Sequence, residues 1–232
     1  KSLLHNILQY PGHHCLLCHD RSYAQQLCEG CMQDLPWLEE ACSRCALPLE
    51  TPHNTVCGSC QQYPPPFDMT HTLFHYHDPI NQLVSDFKFQ KKLVNGKLFS
   101  DLLGLKLASH YKTEKPDVII PIPLHKTRLR ERGFNQALEL AKPIAKQLAI
   151  PLDYKSCVRV KATERQSDIP AKQRKGNVRN AFEVKDGFMP QYVAVVDDVI
   201  TTGSTVKEFC KTLKQAGVER IDVWSVCRVS KN

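Results

Sequence analysis

The sequence contains no run of 18 or more apolar residues, so no segment of it reads as a membrane-spanning helix. The first apolar stretch, Leu3-Leu4 to Ile7-Leu8, is too short and interrupted for the core of a signal peptide. Low-complexity tracts are missing, and 42% apolar with 24% charged residues excludes a disordered chain. No Gly-Lys-Ser/Thr occurs, which excludes the P-loop way of holding nucleotide phosphates. What remains is a globular chain of 232 residues, enough for one medium domain or a domain plus a small module.

Acidic charge is in deficit. Lys and Arg number 31 against 24 Asp and Glu, a net +7. Residues 155–180 hold eight basic residues and two acids, and residues 124–132 hold four basics and one acid. The two stretches together carry +9, so the rest of the chain is slightly negative. Charge concentrated in this way points to polyanions, either phosphate groups or nucleic acid; a solvated basic face is the plainer alternative.

Cysteine is abundant and unevenly placed. Eight of the 11 form four C-x-x-C pairs within the first 60 residues: Cys15/Cys18, Cys28/Cys31, Cys42/Cys45 and Cys57/Cys60. A tight turn presents both sulfurs of such a pair to one ion, and two pairs complete a tetrahedral Cys₄ site. Two structural zinc ions are therefore expected, rather than disulfides. A closed Cys₄ shell has no open position for a substrate, and a segment this poor in Leu, Ile and Val needs the metal in order to fold. Sequential pairing leaves gaps of 9 and 11 residues; an interleaved scheme, first pair with third, has a gap of 23. His13, His14, His19 and His53 lie nearby as bystanders. Cys157, Cys210 and Cys227 sit in apolar contexts and read as small buried hydrophobes.

Tyr63-Pro64-Pro65-Pro66-Phe67 is a stiff connector, predicting a zinc module over 1–62 and a larger domain over 67–232. Beyond it the pattern predicts a strand at Thr70–His77, helices from Pro79 to Gln90 and from Val94 to Tyr111, and a strand at Val118–Ile122. A helix at Asn135–Ala149, strands at Phe182–Lys185 and Tyr192–Val196, a helix at Ser204–Ala216 and a strand at Ile221–Val229 follow. Alternating strands and helices imply a mostly parallel α/β sheet with helices on both faces.

The most informative stretch is Val193-Ala194-Val195-Val196-Asp197-Asp198-Val199-Ile200-Thr201-Thr202-Gly203-Ser204-Thr205. A buried strand leads into two carboxylates, then a hydroxyl-rich loop opens a helix. Free backbone N–H groups at a helix start attract an anion, and Gly203 lets the backbone approach it. Thr201, Thr202, Ser204 and Thr205 add hydroxyl donors. Asp197 and Asp198 suit sugar hydroxyls or a hydrated Mg²⁺. Together these features describe a seat for ribose 5-phosphate.

This segment resembles the 5-phosphoribosyl 1-pyrophosphate (PRPP) motif of type I phosphoribosyltransferases. The resemblance implies that Thr201–Thr205 hold the 5-phosphate, that Asp197 and Asp198 are the catalytic carboxylates facing the ribose, and that Mg²⁺ accompanies the pyrophosphate. Pro121-Ile122-Pro123-Leu124-His125-Lys126 and Arg132-Gly133-Phe134-Asn135-Gln136, with four C-x-x-C pairs in front, are similar to the ComF (competence protein F, or GntX-like) family. That likeness covers nearly the whole chain and implies a double zinc ribbon before a phosphoribosyltransferase-like domain. It also implies pyrophosphate contacts from Lys126, Arg128 and Arg132, and a basic loop over the site from Arg159 to Arg179 with Thr163, Gln166 and Asn180.

The ComF resemblance implies a role in natural transformation: handling incoming single-stranded DNA in the cytoplasm, with competence helicase or recombination-mediator partners. Arg128, Arg130, Arg165, Lys172, Arg174 and Lys175 are the nucleic-acid candidates. Two other readings stay open. One is an active phosphoribosyltransferase in which a nitrogen nucleophile on a free base or amine displaces pyrophosphate; the other is a PRPP-sensing regulator without catalysis. The basic stretch has no aromatic stacking platform of its own; Phe134, Tyr23 and Trp37 are the nearest in sequence. No acceptor-base pocket is legible.

Overall fold

The computed structural model describes residues 13–22, 26–49, 55–162 and 179–230. The chain forms two compact units, residues 1–36 and 37–232. In the first, strands β1 (His13–His14) and β2 (Arg21–Ser22) pair antiparallel, and a short helix, α1 (Glu29–Gln33), follows Cys28. Cys15 N–H donates to Asp20 O at 2.8 Å across this turn.

The second unit opens with Trp37 and Leu38, which bridge to the edge of the main sheet; Leu38 N–H donates to Leu73 O at 2.8 Å. A turn holding Cys42 and Cys45 and a short helix, α2 (Gly58–Gln62), come next. The Pro64–Pro66 connector lies within this unit. Then follow β3 (Met69–His75), α3 (Ile80–Phe89), α4 (Leu93–His110), β4 (Val118–Pro121), α5 (Lys126–Arg132) and α6 (Gln136–Leu148). β5 (Cys157–Arg159), β6 (Phe182–Val184), β7 (Tyr192–Ile200), α7 (Ser204–Gln215) and β8 (Arg220–Arg228) complete it.

Four strands form an all-parallel sheet in the order β3-β8-β7-β4. Residues 192–196 of β7 are consecutively apolar and buried, and β8 is buried from Ile221 to Arg228 with Asp222 and Ser225 as polar members, as strands covered on both faces require. Val118, Ile120, Val193, Val195, Ile221 and Val223 point to one face, where they pack with Val206, Phe209, Cys210 and Leu213 of α7. The opposite face is covered by α4 and α6. The mostly parallel α/β architecture expected from the alternation is thus present, and Cys157, Cys210 and Cys227 are buried as expected.

Three local differences have clear reasons. β7 continues four residues past Val196, because β8 pairs with it as far as Ile200↔Arg228. The helix α5 has no buried residues and no apolar stripe to announce it. β5 is only three residues long and exists by pairing with β6, Arg159 opposite Phe182.

Candidate functional site

The C-terminal ends of β4 and β7 and the starts of α6 and α7 surround a cleft of about 380 Å³. Ligands bind at such strand ends in open α/β sheets, because loops and helix starts converge there. Thr201, Gly203, Ser204 and Thr205 line it, with Asp197 and Asp198 beside them. Gly203 caps α7 at φ +74°, a left-handed conformation that L side chains rarely adopt. The Thr202 hydroxyl is 2.8 Å from that of Ser204 and accepts from Ser204 N–H at 3.3 Å; Thr202 shapes the loop and does not line the cleft.

The acidic pair is asymmetric. Asp198 is buried and pairs with Lys88 of α3 at 2.9 Å. Asp198 N–H donates to Asp197 Oδ1 at 2.9 Å. Burial, then the neighbouring Asp198 charge, push the Asp197 carboxyl up to about 7, while Lys88 and Arg159 oppose the rise. Two carboxylates side by side fit a cation or the hydroxyls of a sugar diol. Lys88 escaped the sequence reading: 110 residues separate it from Asp198, and a lysine on an amphipathic helix looks like any solvated one.

The basic wall divides. Arg128, Arg132 and Arg159 line the cleft, whereas Lys126 and Arg130 are exposed and do not. Burial lowers the Arg159 guanidinium, which Asp197 partly offsets. Asn135 caps α6, accepting from Ala137 N–H at 3.0 Å while donating to Ile122 O at 3.0 Å, so it ties the helix to the chain just past β4. Gln136 lines the cleft at 2% exposure, and its Nε2 has no hydrogen-bond partner among the described residues. A buried donor of this kind costs free energy until an acceptor meets it.

Of the basic stretch, Lys155, Arg159, Lys161 and Arg179 are described. The β5–β6 ribbon brackets it, and Asn180 N–H donates to Glu208 on α7 at 2.6 Å. Arg165, Lys172, Arg174 and Lys175, with Thr163 and Gln166, lie outside the described residues, as does Tyr23. Phe134 packs on Phe87 and Trp37 on Phe74, at centroid distances of 5.6 and 4.6 Å. The aromatic rings at the cleft are instead Tyr76 and Phe89; Phe89 is 63% exposed, with the Arg132 guanidinium 5.5 Å from its centroid.

The cysteines assemble sequentially. Cys15, Cys18, Cys28 and Cys31 form one group, and Cys42, Cys45, Cys57 and Cys60 the other, the sulfurs of each within 4.8 Å of one another. Cys18 and Cys28 sulfurs are 3.6 Å apart, and Cys45 and Cys57 sulfurs 3.7 Å. A tetrahedral zinc with Zn–S bonds of about 2.3 Å requires roughly 3.8 Å between sulfurs, so both groups fit structural zinc. Short gaps suffice because a short helix begins directly after Cys28 and again after Cys57, bringing Cys31 and Cys60 round onto the same side. His14 is engaged elsewhere, its Nδ1 lying 2.9 Å from His19 O.

Comparison with known proteins agrees with this layout. Residues 6–61 match the double zinc ribbon domain and residues 90–232 the phosphoribosyl transferase domain. The chain is 34% identical over 230 residues to Competence protein F of Haemophilus influenzae, covering 96% of this chain and all of that one. It is 33% identical over 205 residues to DNA utilization protein YhgH of Escherichia coli K12, covering 87% and 90%. Competence protein ComFC of Streptococcus pneumoniae is 27% identical over 206 residues, 87% of each chain.

Proposed function

Since the chain belongs to the competence protein F family, with a double zinc ribbon ahead of a phosphoribosyltransferase domain, we propose that its cleft binds PRPP with Mg²⁺ and that the protein serves in competence. The observation that carries this reading is the convergence, in one cleft, of a hydroxyl-lined helix start, an acidic pair and three arginines. The loop at Thr201 and Gly203–Thr205 takes the 5-phosphate through backbone N–H and hydroxyl donors. Asp197 and Asp198 accept from the ribose hydroxyls. Arg128, Arg132 and Arg159 face the pyrophosphate, and Gln136 Nε2 gains the acceptor it lacks. Bound Mg²⁺ supplies further charge neutralisation of the pyrophosphate beside the acidic pair.

The same arrangement supports pyrophosphate displacement. The bond from the ribose anomeric carbon to pyrophosphate oxygen breaks, a bond from that carbon to a nitrogen nucleophile forms, and the arginines stabilise the departing charge. Calorimetric titration with Mg²⁺ and PRPP tests the binding. Heat of binding is expected, and Asp197→Asn with Asp198→Asn should weaken it at least about tenfold, the loss of charged hydrogen bonds to the sugar. No heat from the native protein sinks the proposal. Pyrophosphate release with a panel of bases then separates an enzyme from a PRPP sensor.

A nucleic-acid role is favoured by a separate observation, the exposed Phe89 ring against Arg132, an aromatic face beside positive charge. Single-stranded DNA should bind with a steep salt dependence, and Arg128→Glu should weaken it. Binding indifferent to salt and to that substitution would dispose of this role.

A further inference from the structure

Arg228 is the last residue of β8 and is only 5% exposed. A buried guanidinium needs both acceptors and a counter-charge. Among the described residues it makes no ion pair with a carboxylate; its hydrogen bonds go to backbone carbonyls. Nε donates to Cys45 O at 3.0 Å. Nη1 donates to Ile200 O at 2.9 Å, to Val229 O at 2.8 Å and to Thr201 O. One side chain thus spans two places far apart in sequence: the knuckle of the second four-cysteine group, and the strand end where the anion-binding loop begins.

The missing counter-charge is nearby. Four thiolates around Zn²⁺ carry a net charge of about −2. A guanidinium bonded to the carbonyl of one ligand residue is placed to balance that charge from the outer shell, as groups beyond the ligands orient and tune metal centres. Arginine suits the task because its planar fork offers donors in several directions at once and stays charged when buried. Lysine could supply the charge but not the fork.

We propose that Arg228 couples the second zinc centre to the phosphate loop: it is the outer-shell cation of the Cys42, Cys45, Cys57 and Cys60 group and the clamp on the Ile200 and Thr201 carbonyls, so metal loading of that group sets the order of the loop. The zinc module then does more than fold itself. When the metal is lost the freed thiolates take up protons, so the negative charge that holds Arg228 in place goes and, with it, a clamp on the loop that meets the ligand. The proposal rests on reading that loop as a phosphate cradle, and the test below separates the two.

Hydrogen exchange of the ligand-free protein, read at residues 200–205, measures the order of the loop directly. The variants are Arg228→Lys, which keeps the charge and loses the fork; Cys57→Ser, which removes the second metal and keeps Arg228; and Cys18→Ser, which disturbs only the first group. Metal analysis reports the zinc content of each. Loop exchange should quicken at least about tenfold in Arg228→Lys and Cys57→Ser, the scale of losing hydrogen bonds to a charged group. Cys18→Ser should leave it unchanged, and the β7 core at 193–196 should stay protected throughout. If Arg228→Lys does not fold, Cys57→Ser against Cys18→Ser decides. Unchanged loop exchange in zinc-depleted Cys57→Ser overturns the coupling; so does equal quickening in Cys18→Ser, or loss of protection across the whole sheet. Calorimetry with ribose 5-phosphate completes the test: if exchange behaves as expected and no phosphate binds, the coupling stands and the cradle reading falls.

Discussion

Asp197, half-buried at the wall of the cleft, shares its end of β7 with a second carboxylate, and Lys88 offsets only part of that charge. Its carboxyl is raised from the ordinary 3.8 to about 7, so the proton is held well into the neutral range. A buried acid with a raised folded-state value costs no stability below its unfolded value and increasingly costs stability as pH rises through the folded one. Asp197→Asn should therefore raise the melting temperature at pH 8 relative to the native protein and make little difference at pH 4, as thermal melts at the two pH values would read. Ligand binding has its own pH dependence: if the ionised form receives the Mg²⁺-bound ligand, PRPP affinity should climb as pH passes about 7. The slope beyond that due to the ligand's own phosphates should vanish in Asp197→Asn. Lys88→Met removes a cation that favours the charged acid, so the rise should move to higher pH. Calorimetry across pH 6 to 9 checks all three proteins. The motif announces the two acids by their position after a buried strand. It does not announce their inequality, which depends on a lysine brought across from α3.

The position of α3 depends in turn on a close contact with α4. A Cβ at Gly96 would stand 2.5 Å from Phe87 Cε2, and Phe87 is itself 1% exposed. Gly96→Val is expected to destabilise by roughly 1–3 kcal/mol, the ordinary cost of overpacking a core. Because Phe87 precedes Lys88, the same change should loosen the pair with Asp198. Denaturant titration reads the first effect, and weaker PRPP binding with folding retained reads the second. Elements with a buried stripe, α6 and α7 among them, are legible because their apolar spacing matches the helical period. α5 and β5 are not, for the reasons their surroundings supply: one buries nothing, and the other is held by its partner strand. The cleft takes its arginines from both, Arg128 and Arg132 from α5 and Arg159 from β5, so part of the site rests on elements with weak local signals.

For the molecule as a whole, acid and metal removal probe different parts. His71 lies on β3, its ring 4.3 Å from that of His110 and 5.5 Å from that of Tyr111, and its Nε2 has no hydrogen-bond partner among the described residues. Burial, with His110 and Lys106 nearby, lowers it from 6.5 to about 3. Stability is therefore full above the unfolded value and is lost as pH falls through the window from 6.5 towards 3, by roughly 5 kcal/mol at most. His71→Phe should move the acid-denaturation midpoint to lower pH, followed by circular dichroism. Chelation of zinc should leave most of the helical signal, since α4, α6 and α7 pack on the sheet and α3 on α4 rather than on a metal. Collapse of the entire helical signal on chelation would contradict that division. By itself the sequence determined the two cysteine clusters, the parallel sheet and the hydroxyl-rich loop ahead of α7, because each is written in neighbouring residues: a C-x-x-C turn, a run of buried strand, a Thr-Thr-Gly-Ser-Thr helix start. Only the tertiary structure decided which cysteine pairs share an ion, that Lys88 meets Asp198, and that Arg228 reaches both Cys45 and the loop. Those are encounters between distant segments, and chain spacing carries no record of them until the sheet is assembled.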